Sequence, residues 1–179
     1  MIYEKIQGWF NYQGFYDLMI DKFDNAQFVE IGAWKGKSAC YMGEKLMEAK
    51  KNIKYTVIDN FKGNPESKLH AVDEDIINGT LYNTFINNIK PLKDYINVMR
   101  GDSENLYVYW EDKSIDFLFI DGSHTYNAVK KDIELWLPKV KTIISGHDYD
   151  NKEVKMAVDE IFPNHKVWGE GCLIWYVEL

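Results

Sequence analysis

The chain has 179 residues, 46% hydrophobic and 15% aromatic, which is ample for one folded core and too aromatic for a disordered protein. Its formal net charge is -7, and an acidic surface repels a phosphate backbone, so no nucleic-acid partner is expected. Residues 1–5 lack a secretory leader pattern, and no apolar stretch approaches the roughly 18 residues that span a bilayer; a cytoplasmic protein without a membrane partner is expected.

Phe15, Leu18, Met19 and Phe23 recur at helical spacing, so the N-terminal segment reads as an amphipathic helix. Residues 28–32 are short and β-rich. A loop with Gly32 and Gly36 then leads into a helix over 38–50. Residues 55–59 read as a second strand ending in Asp59. Ile77, Leu81, Phe85 and Ile89 stack at spacings of four on a helix that Pro91 stops. Residues 96–99 form a short strand running into Gly101, Asp102 and Ser103. Residues 115–120 are the most buried-looking strand and again end in an acid, Asp121. Val129, Ile133, Trp136 and Leu137 mark the next helix, which Pro138 closes. A fifth strand over 142–145 ends at Gly146, His147 and Asp148, and Val154, Ala157, Val158 and Ile161 mark a further helix. Residues 165–168 and 172–177 read as two strands joined by a turn at Gly169, Glu170 and Gly171. Cys40 and Cys172 lie in apolar segments and read as small buried hydrophobes. No repeat or linker divides the chain. It reads as one domain over 1–179, with a helical segment over 1–24 and a core over 25–179.

Strands alternating with helices imply a parallel sheet covered on both faces. Ligands of such sheets lie beyond the carboxyl ends of the strands. Asp59, Asp102, Asp121 and Asp148 all fall at such ends, which gathers four acids along one sheet edge.

The segment from Glu30 to Ser38 reads as strand, glycine loop and helix. Gly32 lets the backbone turn sharply, Gly36 lets a ligand approach, and the helix N-terminus offers free N–H groups. Glu30, just before the first glycine, would repel phosphate and attract an ammonium. That favours S-adenosylmethionine over a dinucleotide, and the spacing also departs from GxGxxG. Ala33, Trp34 and Ser38 belong to the same loop, and Trp34 is placed to cover a ligand. Asp59, with Asn60 beside it, stands where a carboxylate accepts ribose hydroxyls. Asp102 and Ser103 could bond the adenine edge or cap a helix over 104–111.

The run Phe28-Val29-Glu30-Ile31-Gly32-x-x-x-Gly36-x-Ser38 resembles motif I of class I S-adenosylmethionine-dependent methyltransferases. Asp121-Gly122-Ser123-His124-x-Tyr126, with Val129, Asp132, Trp136 and Gly146-His147-Asp148-Tyr149, resembles a bacterial subgroup related to sugar O-methyltransferases. The resemblance spans about residues 25 to 162. It implies a Rossmann-like, doubly wound, mostly parallel seven-stranded sheet with an antiparallel last strand. It also implies that Glu30, Gly32 and Gly36 hold the methionine part, Asp59 the ribose, and Asp102 with Ser103 the adenine. Asp121 would lie under the sulfonium or beside the acceptor. In metal-dependent relatives an acid at the Asp121 position and an acidic pair after the fifth strand bind Mg²⁺. Here that pair reads His147-Asp148, so Asp121, His147 and Asp148 suit a softer divalent ion better. The usual Gly-Gly before the fifth strand is replaced by Lys141-Thr142.

Methyl transfer aligns donor and acceptor and can use a base, for which His124 and His147 are the candidates beside Asp121. His70 and His165 lie away from strand ends and receive no role. Asp148 could instead cap the helix near Glu153, Tyr126 could line a pocket, and Trp136 reads as core. Residues 61–75 have the length of a lid but also of an ordinary surface loop. The expected activity is methylation of a hydroxylated small molecule such as a sugar or natural product. Two rivals remain: a metal-dependent hydroxylase or hydrolase on a related fold, and a non-catalytic module that binds S-adenosylmethionine. Aromatic richness hints at a homodimer.

Overall fold

The computed structural model describes residues 1–64, 67–169 and 173–179. Seven strands form one sheet in the order β3-β2-β1-β4-β5-β7-β6. In chain order, α1 (Gln13–Lys22) precedes β1 (Asn25–Ile31), α2 (Lys37–Ala49) and β2 (Asn52–Asp59). The short α3 (Glu74–Ile77) and α4 (Leu81–Ile89) lead to β3 (Asn97–Arg100) and α5 (Ser103–Leu106). Then come β4 (Ile115–Ile120), α6 (Tyr126–Trp136), β5 (Val140–Gly146), α7 (Lys152–Ile161), β6 (Lys166–Trp168) and β7 (Ile174–Glu178). β1 pairs in parallel with β2 and β4, β2 with β3, and β4 with β5. β7 runs antiparallel to β5 and to β6, as the resemblance implies for the sheet's end.

Consecutive residues of a strand point to opposite faces, and the sequence exploits this with apolar side chains on both. Phe28, Phe117 and Phe119 pack on one face with Phe15 and Tyr16 of α1, Met42 of α2 and Phe85 of α4. Val29, Leu118 and Ile120 pack on the other with Ile133 and Trp136 of α6 and Val158 of α7. Trp136 is therefore core. No helix among the described residues is long and apolar enough to cross a membrane.

Several boundaries differ from the sequence reading. The helix expected from Ile77 to Ile89 is two helices broken at Gly79, whose φ is +68°. Asp73 caps α3 by accepting from the Asp75 and Ile76 N–H groups, so α3 has its own start. Ile77 is consequently exposed, while Leu81, Phe85 and Ile89 are buried. The helix expected over 104–111 is the four-residue α5 followed by a 3₁₀ turn over Tyr107–Tyr109. β2 and β5 start earlier than expected, because Lys54 and Lys141 are exposed strand positions whose charge hides the pattern. Glu170, Gly171 and Cys172, expected in a turn and the start of a strand, lie outside the described residues, as do Pro65 and Glu66 of the expected lid.

Candidate active site

The carboxyl ends of β1, β2, β3, β4 and β5 face one edge of the sheet, and two cavities open there. The first, of about 310 Å³, is lined by the glycine loop, the ends of β2 and β3, and α6. The second, of about 500 Å³, is lined by Gln7, Gly8, Trp9, Asn11 and Tyr12 of the N-terminal segment and by the loops after β4 and β5. Gly32, Ala33, Trp34, Asp121 and Gly122 line both, so the cavities meet there.

The loop between β1 and α2 is held closed by Asp59. Its Oδ2 accepts from the Ala33 and Trp34 N–H groups at 2.8 and 3.0 Å, and its Oδ1 accepts from the Phe61 N–H at 2.6 Å. Burial pushes the Asp59 pKa up, and these three N–H donors oppose that shift. Trp34 sits at φ +46° and stacks on Trp9, with ring centroids 5.6 Å apart. Asn60 Nδ2 donates to Asp102 Oδ1 at 2.7 Å. Asp102 makes no capping bond to α5. Ser103 Oγ donates to Asp132 Oδ1 at 2.5 Å. Burial raises the Asp132 carboxyl to about 6, and Asp132 also lines the first cavity.

The structure places Glu30 and Gly36 away from both cavities, contrary to the ligand-facing positions expected of them. Glu30 is 1% exposed and sits beneath the loop. Its carboxylate accepts from the hydroxyls of Ser38 (2.5 Å), Tyr16 (3.0 Å) and Tyr55. These donors occupy the oxygens expected to meet an ammonium. Gly36 has φ +87°, and a Cβ there would meet the Phe85 ring at 2.9 Å. Its freedom serves packing of the loop on α4. Ser38 lines the second cavity and not the first.

Burial pushes the Glu30 carboxyl up to about 7, against the pull of its hydroxyl donors. An acid raised from 4.5 to about 7 stabilises the fold most at low pH. Its contribution is complete below the unfolded pKa and is lost as pH rises through the folded one. The loss amounts to about 3 kcal/mol. Urea unfolding at pH 5 and pH 8 should therefore show a steeper fall for the native chain than for Glu30→Gln. Parallel pH dependence in the two would contradict the burial argument.

At the second cavity Asp121 receives the Tyr12 hydroxyl on Oδ2 at 3.0 Å. His124 Nε2 and His147 Nδ1 lie 2.9 and 3.0 Å from Asp148 Oδ2, and 4.0 and 3.5 Å from Asp121 Oδ1. The hydrogen bond to Asp148 raises the His124 pKa, with burial opposing. Burial pushes the Asp148 carboxyl up, but the two imidazoles outweigh it and hold the group below the usual carboxylate range. Asp148 sits at φ +55°, and its Oδ2 reaches His124 in the loop after β4. It does not cap α7: Asn151 does, accepting from the Glu153 N–H at 2.9 Å. Tyr126 bonds Glu160 and lines neither cavity.

Ligating atoms of Asp121, His124 and Asp148 all lie within 4.8 Å of one another. His124 takes the place in this set that His147 was expected to hold. Adjacent ligands on an ion with bonds near ~2.1 Å are about 3 Å apart and opposite ones about 4.2 Å apart. The separations among Asp121, His124 and Asp148 fit that spacing, so one imidazole and two carboxylates could hold a divalent ion.

Three residues at this edge escaped the sequence reading as site residues. Tyr12 bonds Asp121 across 109 positions of chain. Asp132 had only its place in a motif, and His70 only its place in a candidate lid segment.

Residues 29–149 match the family described as "Methyltransferase domain". The O-methyltransferase NovP superposes with a TM-score of 0.69 at 17% identity, covering 91% of this chain and 76% of that one. CalS11, a TDP-rhamnose 3'-O-methyltransferase of calicheamicin biosynthesis, gives 0.64 at 12%, covering 93% and 76%. An O-methyltransferase from Bacillus cereus in complex with SAH gives 0.60 at 19%, covering 93% and 80%. At these identities the likeness speaks to the fold. Among curated proteins, the uncharacterized protein y4gI of Sinorhizobium fredii is 42% identical over 45 residues. That match covers 24% of this chain and 5% of that relative's length.

Proposed function

Because the chain belongs to the methyltransferase-domain family, matched over residues 29–149, we propose that it moves a methyl group from S-adenosylmethionine to a hydroxyl of a small molecule. The observation that carries this reading is the meeting of two cavities at Gly32–Trp34 and Asp121, with a paired imidazole–carboxylate cluster on the far side. The first cavity takes the cofactor, with Asp59 toward the ribose and Asp102 with Ser103 toward the adenine. The second takes the acceptor. Trp9, Trp34 and Tyr12 offer apolar ring faces there, and Gln7, Asn11 and Asn151 offer amides, which suits a polyhydroxylated ring such as a sugar.

In the transfer, an O–CH₃ bond forms as the S–CH₃ bond breaks, and the electron pair stays on sulfur to give S-adenosylhomocysteine. Asp121, steadied by Tyr12, faces the junction where the sulfonium sits. His124 holds Nε2–H against Asp148, which leaves Nδ1 to accept the hydroxyl proton. Its side chain is 35% exposed, so the proton can pass to solvent. With a divalent ion of the softer kind bound, Asp121, His124 and Asp148 would hold it, and His124 would then act as a ligand in place of the base. Such an ion would acidify a bound hydroxyl.

Incubation with S-adenosylmethionine and a panel of free sugars, sugar nucleotides and hydroxylated natural products tests this, with and without Mn²⁺ and Mg²⁺. Acceptor-dependent S-adenosylhomocysteine release with an O-methyl product is expected. His124→Ala should lower that rate by about 10²–10⁴-fold and leave S-adenosylhomocysteine affinity intact. An undiminished rate in His124→Ala would remove the base assignment, and an N- or C-methyl product would remove the hydroxyl.

A further inference from the structure

His70 lines both cavities, although it lies on a 3₁₀ turn far from any strand end. The Asn64 N–H donates to its Nδ1 at 2.8 Å. An imidazole that accepts on Nδ1 carries its proton on Nε2 and is neutral. Burial pushes the His70 pKa down, with Asp73 and Asp59 opposing, in keeping with a neutral ring. The ring lies over Trp34, 4.7 Å between centroids. Its Nε2–H has no hydrogen-bond partner among the described residues.

Apart from the Trp34 Nε1–H, which is buried without a partner among the described residues, donors are scarce at this end of the first cavity. The Gly32 N–H is spent on the Ile58 carbonyl at 2.8 Å, and the Gly36 N–H on the Ala33 carbonyl at 2.7 Å. The Ala33 and Trp34 N–H groups are spent on Asp59. Lys35 Nζ is held by Asp73 at 2.6 Å and Asp75 at 3.1 Å, and Lys37 Nζ by the Gly8 carbonyl at 3.0 Å. The nearby carboxylates of Asp59 and Asp121 repel anions. A cofactor with an amino-acid tail brings a carboxylate here, and a buried carboxylate needs a donor.

We propose that the Nε2–H of His70 donates to the α-carboxylate of the cofactor's methionine part and so selects for a ligand that carries it. This rests on the reading that S-adenosylmethionine fills the first cavity. The test is calorimetric titration of the full chain, His70→Ala and His70→Gln with S-adenosylhomocysteine and with 5′-methylthioadenosine. The second ligand keeps the nucleoside and thioether and lacks the amino-acid part. His70→Ala should weaken S-adenosylhomocysteine binding about ten-fold or more. It should leave methylthioadenosine binding unchanged, and His70→Gln, which keeps a side-chain N–H, should recover part of the loss. Equal weakening of both ligands would mark His70 as a loop-packing residue and overturn the proposal, as would no weakening of either. If the native chain binds neither ligand, the cofactor reading itself falls, and this inference with it.

Discussion

Gly32→Ala is expected to cost about 4 kcal/mol or more of stability, the largest single-site effect at this sheet edge. A Cβ at this position would stand 2.1 Å from the Asp121 carbonyl oxygen and 2.8 Å from the Gly122 nitrogen. Both are backbone atoms of the adjoining β4 end, and neither can swing aside. The clash would push β1 from β4 and break the Asp121 N–H bond to the Ile31 carbonyl at 2.7 Å. The residue's φ of +88° adds a conformational cost. Gly79→Ala is the control. Its φ is +68° but nothing lies within 4 Å of its would-be Cβ, so only about 1 kcal/mol should be lost. Urea midpoints of the two variants decide the matter. A loss under about 1 kcal/mol for Gly32→Ala would mean that the strand ends are looser than described.

Asp59→Asn should weaken S-adenosylhomocysteine binding about 100-fold while changing the side chain's shape very little. Three backbone N–H groups converge on the two Asp59 oxygens. An asparagine has one oxygen to offer, and its NH₂ would face a donor on the other side. The glycine loop or the Phe61 turn is then left with an unpaired N–H, and the ribose loses an acceptor. Two such losses, each on the order of 1–2 kcal/mol, give about two decades in affinity. Asn60→Ala, which removes the bond to Asp102 and the one accepted from the exposed Lys62 N–H, should cost far less. Equal affinities for the native chain and Asp59→Asn would show that this carboxylate neither shapes the loop nor meets the ligand.

The sheet was legible in the sequence because its strands are apolar runs with turn signals at their ends. Strand ends then located Asp59, Asp102, Asp121 and Asp148 at one edge. What the sequence hides is pairing across long chain distances. Glu30 reads as a ligand-facing acid until Tyr16, Ser38 and Tyr55 are seen to close over it. Gly36 reads as a ligand approach, yet its neighbour is Phe85, 49 positions on. Tyr12 sits in a segment with no strand or glycine signature, and only the fold brings its hydroxyl to Asp121. The spacing of Ile77 from Leu81 imitates one continuous helix, but Gly79 and the Asp73 cap start α3 and α4 separately. Asp148 and Asn151 compete for the cap of α7. Asn151 takes it because it directly precedes Lys152, the first residue of α7, and its Oδ1 reaches the Glu153 N–H.

The most direct test of the central claim is calorimetric titration of the purified chain with S-adenosylmethionine, S-adenosylhomocysteine and, as a rival, NAD⁺. Saturable one-to-one binding of the first two, without heat from NAD⁺, is the expected result. Absence of binding to either sulfur ligand, or binding of NAD⁺ instead, would contradict a methyl-donor site in the first cavity.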